Sequence, residues 1–271
     1  MTDYLNEDFP ITEITEEHVR SFLAEQTVSK KTVLNYHIGL SALWTWAVDE
    51  GIVDIHIIRK VRKPKPEKRV IKPYSEAEIR AMLNSLGYSR AYHRPGKQET
   101  THKLPFEERN RAMILLLLDT GIRASELCEL KIHHMDLKVR DIRVMGKGDK
   151  ERILPFSART GKALWRYLST RENDDLGEWL FVRRDDLPFD RSSLLKVLRV
   201  IGSRAGVRGV NLHRFRHTFA INFLRNGGDP WSLQMMLGHA TMEMVKTYLA
   251  LANADLEKNH KIASPVDHWR L

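Results

Sequence analysis

One cysteine in 271 residues leaves no partner for an intramolecular disulfide and rules out a zinc site built from several thiolates. That residue, Cys128, lies between Leu127 and Leu130 in ASELCEL, where core packing competes with a role as a thiol nucleophile. Long apolar runs are also lacking. The longest, Ala112–Leu118, has seven residues, whereas a helix crossing a bilayer needs about 20. The acidic start MTDYLNEDFP has no hydrophobic segment behind it, so neither a secretory leader nor a transit peptide is expected and a cytoplasmic location is. Internal repeats and low-complexity tracts are absent too.

Acidic residues are missing from two stretches that are rich in bases. None occurs from Asn211 to Arg225, and Glu67 is the single one between Arg59 and Lys72. The chain carries 44 Lys and Arg against 35 Asp and Glu, a net charge of +9, which favours a polyanionic partner. Arg59, Lys60, Arg62, Lys63, Lys65, Lys68, Arg69 and Lys72 concentrate that charge, and Pro64, Pro66 and Pro73 forbid a continuous helix through it. Residues 59–73 therefore read as an extended, exposed basic linker, either merely solvated or tracking phosphates.

The linker divides the chain into a small helical unit, residues 1–58, and a larger one, residues 74–271, that ends in a tail over 252–271. In the first unit TEEHVRSFLAEQ and KKTVLNYHIGLSALWTWAVDEGIV carry apolar residues at helical spacing. Thr15 is a weak cap for one, Ser29 or Thr32 opens the other, and Val33, Tyr36, Ile38, Leu40, Leu43, Trp44 and Val48 leave the second little solvent face. Beyond the linker, Ser75 with Glu78 forms a capping box before EAEIRAML. The polar stretch 88–105 reads as a loop, and ERNRAMILLLLDT as a buried helix that stops at Gly121. DIRVM and ERILPF are the two convincing strands, a hairpin around GKGDK. The remainder is helical, so the fold class is mainly α with a small antiparallel β-sheet, in two domains.

The stretch LHRFRHTFA sets Leu212, Phe215 and Phe219 on one apolar stripe of a helix, with His213, Arg216 and His217 on the stripe beside it. His213 and His217 have the spacing of helical zinc ligands, but a zincin needs a glutamate after the first histidine, and Arg214 stands there. Other polar residues recur where elements end. Arg123 follows Thr120-Gly121, with Glu126 three residues on and able to orient its guanidinium. Lys147 sits at the hairpin tip, His239 follows Leu237-Gly238, and Tyr248 comes nine residues later. Each has an ordinary explanation alone. Together they match phosphodiester chemistry: two arginines to grip the phosphate, a tyrosine to attack, a histidine to take a proton and a lysine to give one.

At LLLLDTGIRASELCEL, VMGKGDKERILPF, HRFRHTFA and LQMMLGHATMEMVKTYLAL the sequence resembles the tyrosine recombinase, or phage integrase, family in its Xer-like and transposon-integrase branch, over about residues 15–271. The resemblance implies a two-domain clamp on double-stranded DNA, with a SAM-like core-binding domain and a catalytic domain. It implies that Arg123 and Arg216 grip the scissile phosphate, Lys147 protonates the 5′-oxygen, His213 assists proton transfer, and His239 hydrogen-bonds the phosphate and buttresses the nucleophile Tyr248. Glu126 corresponds to the acidic partner of the first arginine, and His217 is read as a support to the pair His213 and Arg216. Strands would be cleaved and rejoined through a 3′-phosphotyrosyl link without metal, ATP or other cofactor, in a homotetramer on paired sites, with DNA-bending accessory proteins as further partners and no membrane. Arg59, Lys60, Arg62, Lys63 and Lys65 fall on the DNA-binding linker, and Arg214 is left to solvent or a DNA backbone contact. The N-terminal unit is shorter than the family's four-helix domain and stretch 88–105 is longer than its counterpart. The tail suits docking on a neighbouring protomer or packing in cis. A type IB topoisomerase-like enzyme and a non-catalytic DNA-binding accessory protein are the alternatives.

Overall fold

The computed structural model describes residues 4, 9–66, 72–89, 101–146, 151–171, 178–252 and 266. The hairpin tip with Lys147, most of the 88–105 stretch and the tail beyond 252, apart from Val266, lie outside the described residues. The chain divides into two compact units, residues 1–70 and 71–271.

In the first unit, α1 (Glu16–Ala24) starts at Thr15, whose hydroxyl accepts from the His18 amide while His18 Nδ1 accepts from the Thr15 amide, a full capping box. The second helix, α2 (Lys30–Asp49), starts at Ser29 and buries Leu34, His37, Trp44 and Ala47. Here the structure corrects the expectation of a helix with little solvent face: Tyr36, Ile38, Leu43 and Trp46 are exposed. The unit's small core of Val19, Leu23, Trp44, Ile58 and Val61 reaches one stripe of α2 and no further. The basic segment also begins differently. Its first residues close a 3-10 turn, Ile57–Lys60, because Ile58 and Val61 are buried in that core; residues 62–66 carry neither helix nor strand, and 67–71 lie outside the described residues.

In the second unit, α3 (Glu76–Asn84) opens with the expected Ser75–Glu78 capping box. The central α4 (Glu107–Thr120) buries residues on every side, among them Ala112, Met113, Ile114, Leu116 and Leu117, and stops at Gly121, whose φ of +61° suits the left-handed end of a helix. A short α5 (Ala124–Cys128) follows. Cys128 is buried, and burial with Asp190 and Glu129 nearby pushes its thiol up to about 12, so it is a packed thiol rather than a nucleophile.

The sheet has three antiparallel strands in chain order: β1 (Met135–Asp136), β2 (Asp141–Met145) and β3 (Glu151–Pro155). Two residues of β1 give no alternation to read, so sequence pattern finds only the β2–β3 hairpin, in which Arg143 faces Ile153 and Val144 faces Arg152. Then come α6 (Ala158–Ser169), α7 (Arg191–Arg204), α8 (Leu212–Arg225), α9 (Pro230–Leu237) and α10 (Glu243–Ala252). Asp119, near the end of α4, accepts from the Ser157 amide and the Thr160 hydroxyl at 2.7 and 2.6 Å, which fixes the start of α6. The main core wraps α4 and extends to Phe215 on α8, while Phe219, Leu233, Leu237, Val245 and Tyr248 form a second cluster among α8, α9 and α10. No helix among the described residues is long and apolar enough to cross a membrane.

Candidate active site

The C-terminus of α9 organises the polar residues. Gly238 takes φ +61° and ends the helix, leaving its last carbonyls without helical partners. Three guanidinium groups take up three consecutive carbonyls there. Arg152 Nε donates to Met236 O at 2.9 Å, Arg216 Nη2 to Leu237 O at 2.5 Å, and Arg123 Nη2 to Gly238 O at 3.0 Å. The partial negative charge at a helix C-terminus favours cations at this position.

Arg123 arrives from the connection between α4 and α5. Glu126, one turn on, accepts from the Arg123 amide and from Arg123 Nη1, each at 2.8 Å. Arg152, on β3, binds the same carboxylate with both terminal nitrogens at 2.9 and 2.7 Å. Burial alone would raise the Glu126 carboxyl, but hydrogen bonds from Arg152 and Arg123 outweigh it and hold the group below its ordinary value. Glu126 is therefore a buried carboxylate shared by two arginines.

Arg216 comes from α8 and is itself buried, not on a solvent stripe. Its Nη1 donates to Gly121 O at 2.9 Å, so the glycine that ends α4 also anchors the second arginine. Burial and the nearby Arg123 lower its guanidinium to about 10, which leaves it charged at neutral pH. His213, one turn earlier, is exposed, with Nε2 3.5 Å from Arg191 Nη2. Burial, Arg191, Arg216 and Arg123 all push its imidazole below the usual range.

His239 and His217 flank Tyr248. The His239 ring stacks on that of Tyr248 with centroids 6.3 Å apart and planes 10° apart, and His217 meets it at 5.3 Å and 56°. Tyr248 is 3% exposed, and burial raises its phenol while Arg216 opposes the rise. His217 is held neutral by burial and by His213 and Arg216, and burial with Arg216 and Arg123 lowers His239 to about 4. Among the described residues around this turn, Arg123, Arg152, Arg216 and Glu126 leave a net excess of two positives beside neutral imidazoles and a neutral phenol. Such a site is complementary to a phosphodiester, and better still to the greater charge of its transition state.

Five of the sequence-nominated polar residues thus meet around one turn: Arg123, Glu126, Arg216, His239 and Tyr248, with His217 against the tyrosine and His213 on the adjoining helical turn. Lys147 lies outside the described residues. Arg214 departs from the expectation that it faces solvent or a DNA backbone. Its side chain is 11% exposed and pairs through Nη2 with both Glu78 oxygens at 2.8 Å, while its guanidinium lies 3.9 Å from the Tyr74 ring centroid. Nε and Nη1 go to Lys72 O and Arg208 O. Helical spacing alone could not reveal a partner 136 residues away. Arg152 is the residue sequence reasoning missed, and the basic position next to the hairpin was its only signal.

In the first unit, Arg59, Lys60, Arg62, Lys63 and Lys65 are exposed, and Lys60 pairs with Glu16 at 3.2 Å. Arg20, Lys30, Arg62 and Lys65 line an open groove of about 510 Å³ together with Leu23, Val28, Val33 and Val61. No group of three or more His, Cys, Asp or Glu side chains among the described residues is placed to share a metal ion.

Comparison with known proteins bears on this geometry. The sequence model of the Phage integrase family matches residues 97–255. The chain is 31% identical over 248 residues to the tyrosine recombinase XerC of Staphylococcus epidermidis, covering 90% of this chain and 79% of that one. It is 32% identical over 221 residues to the tyrosine recombinase XerD of Mycobacterium leprae, covering 78% and 66% respectively. Its fold is similar to that of the XerH site-specific recombinase bound to a palindromic difH substrate in a post-cleavage complex, with a TM-score of 0.73 at 22% identity over 96% of this chain and 76% of that one.

Proposed function

This chain belongs to the phage integrase family, the tyrosine recombinases, and is a site-specific recombinase that cleaves and rejoins DNA; from that premise we propose that the turn after α9 holds the scissile phosphate and that Tyr248 attacks it. The observation that carries the reading is the placement of Arg123 and Arg216, 93 residues apart in sequence, on the adjacent carbonyls of Gly238 and Leu237, beside the ring pair His239–Tyr248. Two guanidinium groups held so close repel one another, and an anion between them turns that repulsion into binding.

In the proposed step the Tyr248 oxygen forms a bond to phosphorus and the bond from phosphorus to the 5′-oxygen breaks, leaving a 3′-phosphotyrosyl link. The phenolic proton passes to His213, and Lys147 protonates the departing 5′-oxygen. Rejoining is the reverse, with a 5′-hydroxyl as nucleophile. Burial raises the phenol, so a neutral base is needed, and the lowered imidazole of His213 is neutral at pH 7. Arg216 holds Nε2 of His239, which leaves the other ring nitrogen as a donor for a phosphate oxygen.

Arg59, Lys60, Arg62, Lys63 and Lys65 contact the DNA backbone, and four protomers assemble on two paired sites, with DNA-bending proteins as accessories. Support for the bases comes from their exposure on one short segment; support for the tetramer comes from the family resemblance.

The test uses nicked suicide duplexes tiled across the DNA that flanks the gene, incubated with the full chain in chelator. A covalent protein–DNA adduct is expected, and none with Tyr248→Phe, which should still bind DNA. An adduct that persists in Tyr248→Phe, or forms only with magnesium, overturns the mechanism.

A further inference from the structure

We infer that Arg152 is a positioning residue for strand cleavage, which keeps Glu126 in place between two arginines and ties strand β3 to the turn that carries His239. The inference rests on the assignment of Arg123 and Arg216 to the phosphate.

Glu126 alone beside Arg123 would cancel one of the two charges assigned to the phosphate. Its side chain is 5% exposed, so water screens that cancellation poorly. Arg152 changes the balance. It pairs with both carboxylate oxygens, is itself 13% exposed, and leaves the triad Arg123–Glu126–Arg152 with a net positive charge. The carboxylate then orients Arg123 through the Arg123 amide and Nη1 without neutralising the site.

The second contribution is mechanical. Arg152 Nε binds Met236 O at 2.9 Å, and its guanidinium packs so closely on Gly238 that a Cβ built there would lie 3.2 Å from Nη1. One planar group thus fixes the carboxylate that aims Arg123 and the backbone just before His239. In sequence, β3 also begins four residues after Lys147. Arg152 therefore links the three chain segments that supply the first arginine, the hairpin lysine and the second histidine. A lysine cannot reproduce this, because a single ammonium lacks the fork that spans two carboxylate oxygens and the Nε donor that faces Met236 O.

The experiment compares Arg152→Lys, Arg152→Met and the double variant Arg152→Met with Glu126→Gln. Single-turnover adduct formation is measured on the suicide duplex that the wild-type chain cleaves. DNA affinity is measured in a Tyr248→Phe background, where cleavage cannot pull on binding. Arg152→Lys should slow adduct formation by about 30-fold, in the range for residues that orient a reacting group, while the dissociation constant moves by less than about threefold because phosphate contacts elsewhere dominate binding. Arg152→Met should be slower still. Adding Glu126→Gln should restore about tenfold by removing a buried carboxylate that no longer has its second partner. A merely structural arginine gives no such recovery, since the double variant lacks both halves of the contact.

Arg152→Lys cleaving at the wild-type rate, or affinity falling in parallel with cleavage, overturns the inference. So does a double variant no faster than Arg152→Met. Should Arg152→Met fail to fold, Arg152→Lys decides alone. An adduct in Tyr248→Phe would instead overturn the reading of the site itself.

Discussion

Arg216 Nη2 lies 3.0 Å from His239 Nε2, and since a guanidinium can only donate, that contact fixes the tautomer of the histidine. Nε2 accepts, so the proton of the neutral ring sits on Nδ1. That nitrogen is buried and has no hydrogen-bond partner among the described residues.

Protonating His239 would place a charge on Nε2 opposite Arg216. The folded imidazole is lowered to about 4 by burial, Arg216 and Arg123, whereas the unfolded one titrates near pH 6.5. Between those values the unfolded chain binds a proton that the folded chain refuses, so stability is full above about pH 6.5 and falls as pH drops towards 4. His213 and His217, lowered too, add in the same direction. Thermal midpoints measured from about pH 7.5 to pH 4.5 should decline, and His239→Gln, which keeps an acceptor for Arg216 but does not titrate, should reduce the slope. An unchanged slope in that variant would sink the assignment of this proton.

Replacing Arg123 by Lys keeps the charge and loses the geometry. Arg123 uses Nη1 for Glu126 and Nη2 for Gly238 O, two directions that one ammonium cannot serve. Adduct formation should fall by about 10²–10³, the usual loss when a preorganised donor to the reacting centre is removed. Binding to uncleaved duplex should change little. Equal losses in both measurements would mean that Arg123 serves affinity rather than chemistry.

How far this site could be read from sequence depends on the distance between partners. Glu126 was legible because its partner Arg123 is three residues away, within reach on a helical first turn. Arg152 was not, since its carboxylate is 26 residues off and becomes a neighbour only when the chain folds. For Arg214 the periodicity of α8 gave the direction away from Phe215 but not what lies there, and Glu78 and Tyr74 come from the start of the second unit, some 140 residues earlier in the chain. The apolar faces of α2 show the same limit. Helical spacing identified Tyr36, Ile38 and Leu43 as hydrophobic, but burial depends on a second surface, and the small core of that unit supplies one to only part of the helix. The hairpin and the ends of α3 and α4 were readable because turn and cap chemistry is local.

Gly121 should tolerate no side chain. Its φ of +61° strains any L residue, and a Cβ there would sit 2.3 Å from Phe219 Cδ1 and 3.0 Å from Leu237 Cδ2. Phe219 is itself buried. Gly121→Ala should therefore cost about 2–4 kcal/mol from backbone strain and overpacking together. Because Gly121 O also accepts from Arg216, cleavage should fall further than the loss of folded protein explains. Urea denaturation and the adduct rate at equal folded fraction separate the two effects, and a loss below about 0.5 kcal/mol would contradict the close packing described.

Arg214 and the linker bases make opposite predictions, although all are cationic. Arg214 is spent inside the second unit, on Glu78, the Tyr74 ring and the carbonyls of Lys72 and Arg208. Arg214→Met leaves Glu78 without its ion-pair partner and should destabilise the fold by roughly 2 kcal/mol, while the dependence of DNA binding on salt stays as it was. Arg62, Lys63 and Lys65 are exposed. Replacing the three by Ser should leave the unfolding midpoint unchanged and lower the slope of log K against log salt by about 0.9 for each phosphate no longer neutralised. Salt titrations of affinity, run beside unfolding curves, distinguish the two cases. A reduced slope in Arg214→Met, or an unaltered one in the triple variant, would reverse the division between bases that hold the protein together and bases that hold DNA.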